Sequence, residues 1–251
     1  MILTWLGLAP KFRSEPVDNS KVCLDGYLKT AGAKITADSG GNAMLSTLHI
    51  DAGKTIALLG SSTFHKHYLC DWLLGFVEAK NTKVSLELSN GKNTTRAVEP
   101  HDRAQHASVL GRSPILCGET IQEALTFRTH HVRKSELKEM VEHFFGPTLR
   151  AKTNPEARFF DRDGAPVSTH SLTAREHLEI AQINVLLQKT PVIILDLSSE
   201  LMAEAMAQGF VPAPELFTSG KTVLTIVPPS RDLKWAETVL KHKFEQTLTL
   251  N

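Results

Sequence analysis

Cysteine is scarce in this sequence and never paired. The three cysteines, Cys23, Cys70 and Cys117, lie far apart and show no C-x-x-C spacing. An odd number of isolated cysteines disfavours both a disulfide framework and a structural zinc site. His65, His67 and Cys70 cluster along the chain, but no second cluster has zinc-site spacing. The sequence therefore indicates a protein of a reducing compartment without a structural metal.

The sequence also lacks an excess of charge and a long hydrophobic run. A formal net charge of +1 argues against the electrostatic footprint that nucleic acid or an anionic membrane selects. No apolar run approaches the roughly 20 residues of a transmembrane helix. The apolar start, residues 1–10, is too short to span a bilayer and lacks the basic beginning of a signal peptide. We expect residues 1–20 to form an arm that docks on a partner or continues an upstream segment.

What is present is the pattern of a folded α/β protein. Hydrophobic residues make up 41% and charged residues 22%, which is ordinary globular usage. Residues 55–59, 192–195 and 222–227 are unalternating apolar runs, and a helical pattern from about 174 to 189 precedes the second. Such strands pair in parallel through helical crossovers. Residues 21–50 instead predict an antiparallel β subdomain.

The loop after the first of these strands keeps the frame of a phosphate-binding motif. In G-x-x-x-x-G-K-[ST], glycines let backbone N–H groups converge on phosphate oxygens, the lysine neutralises charge and the hydroxyl binds magnesium. His65 replaces the second glycine and His67 replaces the hydroxyl. On its own the loop favours an ordinary strand-to-helix turn. The candidate nucleotide-binding residues are Gly60, Ser61, Ser62, Thr63, His65, Lys66 and His67.

The downstream segments favour the nucleotide-site hypothesis. The stretch from Val109 to Leu125 resembles the glutamine-loop segment of exporter-type ATP-binding-cassette (ABC) domains, with Arg112 in the place of the glutamine. Residues 180–196 align without a gap on that family's signature helix, the following loop and the Walker B strand. The positions that fit the glutamine-loop segment are Pro114, Leu116, Thr120 and Ile121.

A signature-like segment lies between these two stretches. Its residues are Leu172, Thr173, Ala174, Arg175 and Glu176. In the family this segment reads leucine-serine-glycine-glycine-glutamine. A structural role is also open here, because Thr173 with Glu176 forms a capping box that would start any helix.

The resemblance implies a fold and a domain plan. It implies a P-loop NTPase (RecA-like) core with a mostly parallel sheet, an antiparallel β subdomain and an inserted helical subdomain. The ABC-type nucleotide-binding domain would span residues 21–251, with the helical insertion at about 113–175. Asp196 would be the Walker B carboxylate and would hold Mg²⁺ weakly, through water.

The resemblance also implies lost catalysis. Leu197 stands where the family has the glutamate that polarises water, and Pro228 where it has the switch histidine. Neither residue can replace the missing group. Loss of a general base typically costs about two to four orders of magnitude in rate. We therefore expect no catalytic residue, little ATP turnover and weak or absent ATP/Mg binding.

The function predicted is that of a pseudo-ATPase in a membrane transport or export assembly, with a regulatory or structural role. The resemblance implies two partners, a transmembrane transporter subunit and a second nucleotide-binding domain in a homo- or heterodimer, and no nucleic acid. It implies a cytoplasmic location, at the inner face of a membrane through the partner. Two alternatives stay open. One is an ATP-binding subunit that is weakly active or supports hydrolysis in a competent partner, and the other is an unconventional P-loop kinase or ATPase.

Overall fold

The computed structural model of the chain describes most of the protein. The predicted arm and Cys23 lie outside the described residues, as do 113–115 and 117–120 of the glutamine-loop segment, Cys117 among them, and the passage 148–171 of the expected helical insertion. The described residues are 33–38, 48–77, 83–89, 95–97, 102–112, 116, 121–129, 132–147, 172–188 and 190–250.

The described chain contains both strands and helices. The strands are β1 Ala33–Asp38, β2 Leu48–Ile50, β3 Thr55–Leu59, β4 Lys83–Ser89, β5 Thr95–Ala97, β6 Ala107–Leu110, β7 Val192–Asp196, β8 Thr222–Ile226 and β9 Gln246–Thr249. The helices are α1 Thr63–Leu73, α2 Arg103–His106, α3 Ile121–Thr126, α4 Lys134–Phe144, α5 Ala174–Leu187, α6 Glu200–Ala207, α7 Glu215–Thr218 and α8 Leu233–Leu240.

Two sheets organise these elements, of the two kinds that the sequence predicted, although β4 and β5 of the smaller sheet lie beyond the predicted range 21–50. The larger has the strand order β6-β7-β8-β3-β9, and all its pairings are parallel. The smaller has the order β2-β1-β4-β5 and is antiparallel. The fold class, α/β with a mostly parallel core sheet and an antiparallel β subdomain, is confirmed.

Side chains from the parallel sheet enter two separate cores, one on each face. Ile193 and Leu195 of β7 pack with α5 and α6, whereas Val192 and Ile194 pack with α1. All five residues of β7 are buried. Because both faces are covered, these strands can be apolar at every position, which is why they appear in the sequence as unalternating runs.

One boundary differs from the sequence prediction. The loop after β3 was expected to run from Gly60 to His67, but α1 already begins at Thr63. The reason is local, because Ser62 is an N-cap residue whose hydroxyl accepts a hydrogen bond from the His65 N–H, and no glycine follows to interrupt the helix.

Elsewhere the predicted elements are close to the observed ones. The helix expected from about 174 to 189 is α5, and the charged helical stretch at 135–145 is α4. Strand β9 had no sequence prediction, since it lies at the sheet edge and alternates between exposed and half-buried residues. Within the described residues, every helix is too short or too polar for a membrane crossing.

Candidate nucleotide site

The predicted nucleotide-binding residues meet at the carboxyl edge of the parallel sheet. Gly60 follows β3, Arg112 follows β6 and Asp196 ends β7, while Lys66 and His67 lie on α1. In open α/β sheets ligands bind at this edge. The tertiary structure thus brings together the residues of three separate motifs.

The loop that would cradle phosphate is only three residues long. Gly60, Ser61 and Ser62 connect β3 to α1, and the helix then includes Thr63, His65, Lys66 and His67. In a phosphate cradle, successive loop N–H groups converge on the anion. Here the His65 N–H donates to Ser62 at 3.2 Å, and later N–H groups belong to the helix ladder. The N–H groups from His65 onward are therefore used by the helix and its cap and are not left for a phosphate.

Gly60 is required by its neighbour rather than by a ligand. Its φ is +125°, and a Cβ placed there would lie 2.0 Å from the Leu250 carbonyl oxygen. The Leu250 N–H donates to the Leu59 carbonyl at 2.9 Å. The chain after β9 thus runs directly against the first residue of the loop.

Lys66 points into the protein. Lys66 is 0% exposed. Its Nζ donates to the carbonyl oxygens of Gly60 at 2.9 Å and Val227 at 2.7 Å. Burial lowers the pKa of the Lys66 ammonium, and the nearby Asp196 carboxylate opposes that shift. The lysine therefore joins the ends of β3 and β8, and its hydrogen-bonding groups are directed away from solvent.

His67 and Ser198 surround the Asp196 carboxylate. Asp196 is 0% exposed, and its Oδ2 lies 2.9 Å from His67 Nε2. Its Oδ1 accepts the Ser198 N–H at 2.9 Å and the Ser198 hydroxyl at 2.6 Å. Because a carboxylate only accepts hydrogen bonds, His67 Nε2 must carry the proton. Both carboxylate oxygens are thus occupied by protein donors.

These three side chains do not form a catalytic triad. A triad places its carboxylate on one ring nitrogen of histidine and its serine hydroxyl on the other. Here Asp196 and Ser198 both approach Nε2, at 2.9 Å and 3.3 Å, and the serine hydroxyl donates to the carboxylate. The geometry provides no base for the serine.

Arg112 is held by a partner on α1. Its guanidinium makes a two-armed pair with Asp71, in which Nη1 donates to Oδ1, and Nη2 donates to Oδ2 at 3.2 Å. The bond to Asp71 raises the pKa of Arg112. Cys70 beside it is buried, and burial raises the pKa of its thiol, so it is an inert core residue.

The signature-like residues make a different set of contacts. Thr173 and Glu176 form the predicted capping box of α5. Arg175 donates from Nε to Glu179 at 2.7 Å and from Nη1 to the Gln208 carbonyl at 3.1 Å. Ala174 is buried and Leu172 packs against the core. A cavity of about 220 Å³ here is lined by Gly146, Thr173, Arg175, Glu176, Glu179 and Gln208.

This arrangement does not fit a magnesium nucleotide held in the P-loop manner. The lysine ammonium is turned inward, the position of the magnesium-binding hydroxyl is an imidazole, and both carboxylate oxygens already accept hydrogen bonds from protein atoms. Leu197 is buried in the core. In the part of the chain that the structure describes, no cluster of three or more His, Cys, Asp or Glu could hold a metal ion.

Two members of this site were missed by the sequence reasoning. Ser198 had a usable signal, because an aspartate two residues before a serine often accepts its backbone N–H in an Asx turn. Asp71 had none, since its partner Arg112 is 41 positions away. Only the packing of α1 against the β6 end brings them together.

Comparisons with known proteins agree with this fold. No family model matches the chain. It is 22% identical over 195 residues, 76% of its length, to an ATP-dependent lipid A-core flippase of Saccharophagus degradans, of which the match covers 31%. It is also similar to the structure of a bacterial Atm1-family ABC exporter with ATP bound, with a TM-score of 0.57 and 14% identity over 87% of this chain and 37% of that one. The chain thus spans about a third of the length of either protein. Together with the fold, the likenesses support an ABC-transporter-related domain.

Proposed function

We propose that this chain is a degenerate ABC-type nucleotide-binding domain that serves a membrane transport or export assembly as a regulatory or structural subunit, without ATP turnover of its own. The observation that carries the proposal is the set of contacts around Lys66, His67 and Asp196. These side chains stand at the three positions that the motif uses for phosphate and Mg²⁺, and each is hydrogen-bonded to another protein group.

A nucleotide bound in the P-loop manner would have to break hydrogen bonds that the protein already makes. For Lys66 to reach a phosphate, its ammonium must leave two carbonyl oxygens at 2.9 and 2.7 Å. Hydrogen bonds to a charged group each contribute about 1.5–3 kcal/mol. Shortening α1 to free the loop N–H groups would also remove the Ser62 cap, which is typically worth about 1 kcal/mol. Binding would need to offset both costs.

The proposed partners follow from the likeness to transport proteins. They are a transmembrane subunit and a second nucleotide-binding domain, which is the kind of assembly the resemblance implies. The signature-like segment still starts a well-capped helix α5. This supports the proposal that the domain keeps its contact surface although it has lost the groups that hydrolyse ATP. The domain would then act through protein contacts.

The test is nucleotide binding and turnover by the purified chain. Calorimetry with Mg-ATP up to millimolar concentration should give no binding heat, and a phosphate-release assay should give no turnover above the buffer rate. Lys66→Met should not change either result. Lys221→Met is a matched control, because Lys221 is also buried and donates to backbone carbonyls.

Other outcomes would separate the alternatives. Binding that Lys66→Met abolishes and Lys221→Met preserves would contradict the proposal and establish a regulatory nucleotide site. Magnesium-dependent turnover by the chain alone would make it an unconventional P-loop enzyme. Turnover that appears only when a competent cassette is added would make it a supporting subunit.

A further inference from the structure

A fully buried carboxylate stands at the centre of the closed site. Asp196 receives three hydrogen bonds, two from Ser198 and one from His67. The Ser198 bonds come from the same turn, whereas the His67 bond comes from α1, 129 positions away in the sequence. His67 is therefore the donor that connects this carboxylate to another element of the fold.

His67 occupies the position of the motif that binds magnesium in a phosphate-binding loop. In the phosphate-binding motif, residue 67 would supply the hydroxyl that binds magnesium, and a Walker B carboxylate would accept hydrogen bonds from magnesium-bound water. In this chain an N–H on a side chain at the same motif position donates to the same carboxylate at 2.9 Å. The imidazole thus occupies the chemical role of a hydrated metal ion.

We propose that His67 is a built-in substitute for hydrated Mg²⁺, which fastens α1 to the end of β7 and keeps the carboxyl edge of the sheet closed without metal or nucleotide. The inference deepens the proposed function, on which it rests, because it assigns a mechanism to the same site. The hydrogen bond from His67 keeps this edge closed whether or not a ligand is present.

Neighbouring contacts reinforce the same closure. Lys66 connects α1 to the ends of β3 and β8. The pair of Asp71 with Arg112 connects α1 to the residue two positions after β6. Together with the hydrogen bond from His67 to Asp196 of β7, side-chain bonds join α1 to the ends of four strands of the parallel sheet. The protein thus already makes the connections between α1 and these strands that a bound ligand would otherwise provide.

The inference predicts that removing the imidazole creates a metal requirement. His67→Ser restores the hydroxyl of the motif, but on a side chain much shorter than the imidazole, so the buried Asp196 carboxylate loses the N–H that α1 donates to it. We expect the melting temperature to fall by about 5–10 °C in a metal-free buffer. Added MgCl₂ or MnCl₂, with no nucleotide present, should recover at least half of that loss. The wild type should shift by less than about 1 °C under the same titration, since it offers the metal no free carboxylate oxygen.

The controls separate the donated N–H from the bulk of the ring. His67→Gln keeps an N–H donor at similar reach and should melt near the wild type with no response to metal. His49→Ser removes a histidine from another aspartate pair, in which both side chains are more than half exposed, and should leave stability and metal response unchanged.

Three results would overturn the inference. They are a wild type stabilised by the metal salts alone, a folded His67→Ser protein that ignores them, and a His67→Gln protein as destabilised as the serine variant. If the serine variant does not fold at all, the glutamine variant decides the question. ATP binding by the wild type would instead contradict the proposed function, so the two failures are distinguishable.

Discussion

At the scale of single residues, Gly60 shows how a motif residue can persist for a structural reason. Its φ of +125° belongs to a region that only glycine adopts freely, and the Leu250 carbonyl fills the space of its missing side chain. Gly209 also has a positive φ, of +85°. A Cβ placed there would lie 3.2 Å from Nη1, at the end of the flexible Arg175 side chain.

We predict different costs for alanine at these two glycines. Gly60→Ala should lower the free energy of unfolding by about 3 kcal/mol or more, because backbone must move as well as strain be absorbed. Gly209→Ala should lower it by about 1 kcal/mol, the strain alone. Urea denaturation of both variants measures the difference. Equal losses would mean that the contact between Gly60 and Leu250 contributes nothing.

At the scale of elements, the helix starts decide the geometry of the site. The Ser62 cap places Lys66 and His67 inside α1, where their side chains reach Val227 and Asp196. Ser199 caps α6 and has a second function. Its hydroxyl accepts the Met202 N–H and donates to the Gly111 carbonyl next to Arg112. Caps here therefore connect helices to the site as well as begin them.

A comparison of two caps tests that connection. Ser199→Ala removes both an N-cap bond and the bond to Gly111, and should lower the free energy of unfolding by about 2 kcal/mol. Thr173→Ala removes the cap of α5, whose hydroxyl accepts the Glu176 N–H, and should cost about 1 kcal/mol. Thermal or urea unfolding gives both values. A serine variant no worse than the threonine variant would rule out a contribution from the Gly111 bond.

At the scale of the whole molecule, a buried lysine joins the helical layer to the sheet. Lys221 precedes β8, and its Nζ donates to the carbonyl oxygens of Gln188 at 2.8 Å and Val185 at 3.4 Å, at the end of α5. Burial lowers the pKa of Lys221 to about 8, against about 10.4 in an unfolded chain. The folded state therefore releases this proton at a lower pH than the unfolded state does.

This difference predicts how stability changes with pH. Between about pH 8 and pH 10.4 the unfolded chain holds more protons than the folded chain, so the free energy of unfolding should rise with pH. The difference in free energy of unfolding between the wild type and Lys221→Met should therefore grow in favour of the wild type by about 2 kcal/mol from pH 8 to pH 10. Urea titrations of both proteins across this range measure it. A difference that stays constant would show that Lys221 keeps its proton in the fold.

At the same scale, the chain is shorter than the two transport proteins to which it is similar. The flippase and the exporter are roughly two and a half times as long as this chain, so the proposed transport role and partners concern a larger assembly. The fold is a parallel sheet of order β6-β7-β8-β3-β9 with a separate antiparallel sheet, and it is similar to the fold of the exporter structure.

The sequence by itself determined the apolar strands β3, β7 and β8, the long helices and the order of the motifs. Val192–Asp196 and Thr222–Ile226 were predicted within one residue, because a strand covered on both faces is apolar throughout, and that is a local property. The replacement of motif residues by His65, His67, Arg112 and Leu197 can likewise be read directly. Local patterns carry this information because each depends on a few neighbouring positions.

Only the tertiary structure decided what the replaced residues do instead. His67 meets Asp196 across 129 positions, Lys66 meets Val227 across 161, and Arg112 meets Asp71 across 41. None of these pairs has a spacing that predicts contact. They form because parallel strands bring their carboxyl ends to one edge, where α1 packs across them. A chain with the same motif frame could have left this edge open to a ligand, and here the packing of side chains fills it.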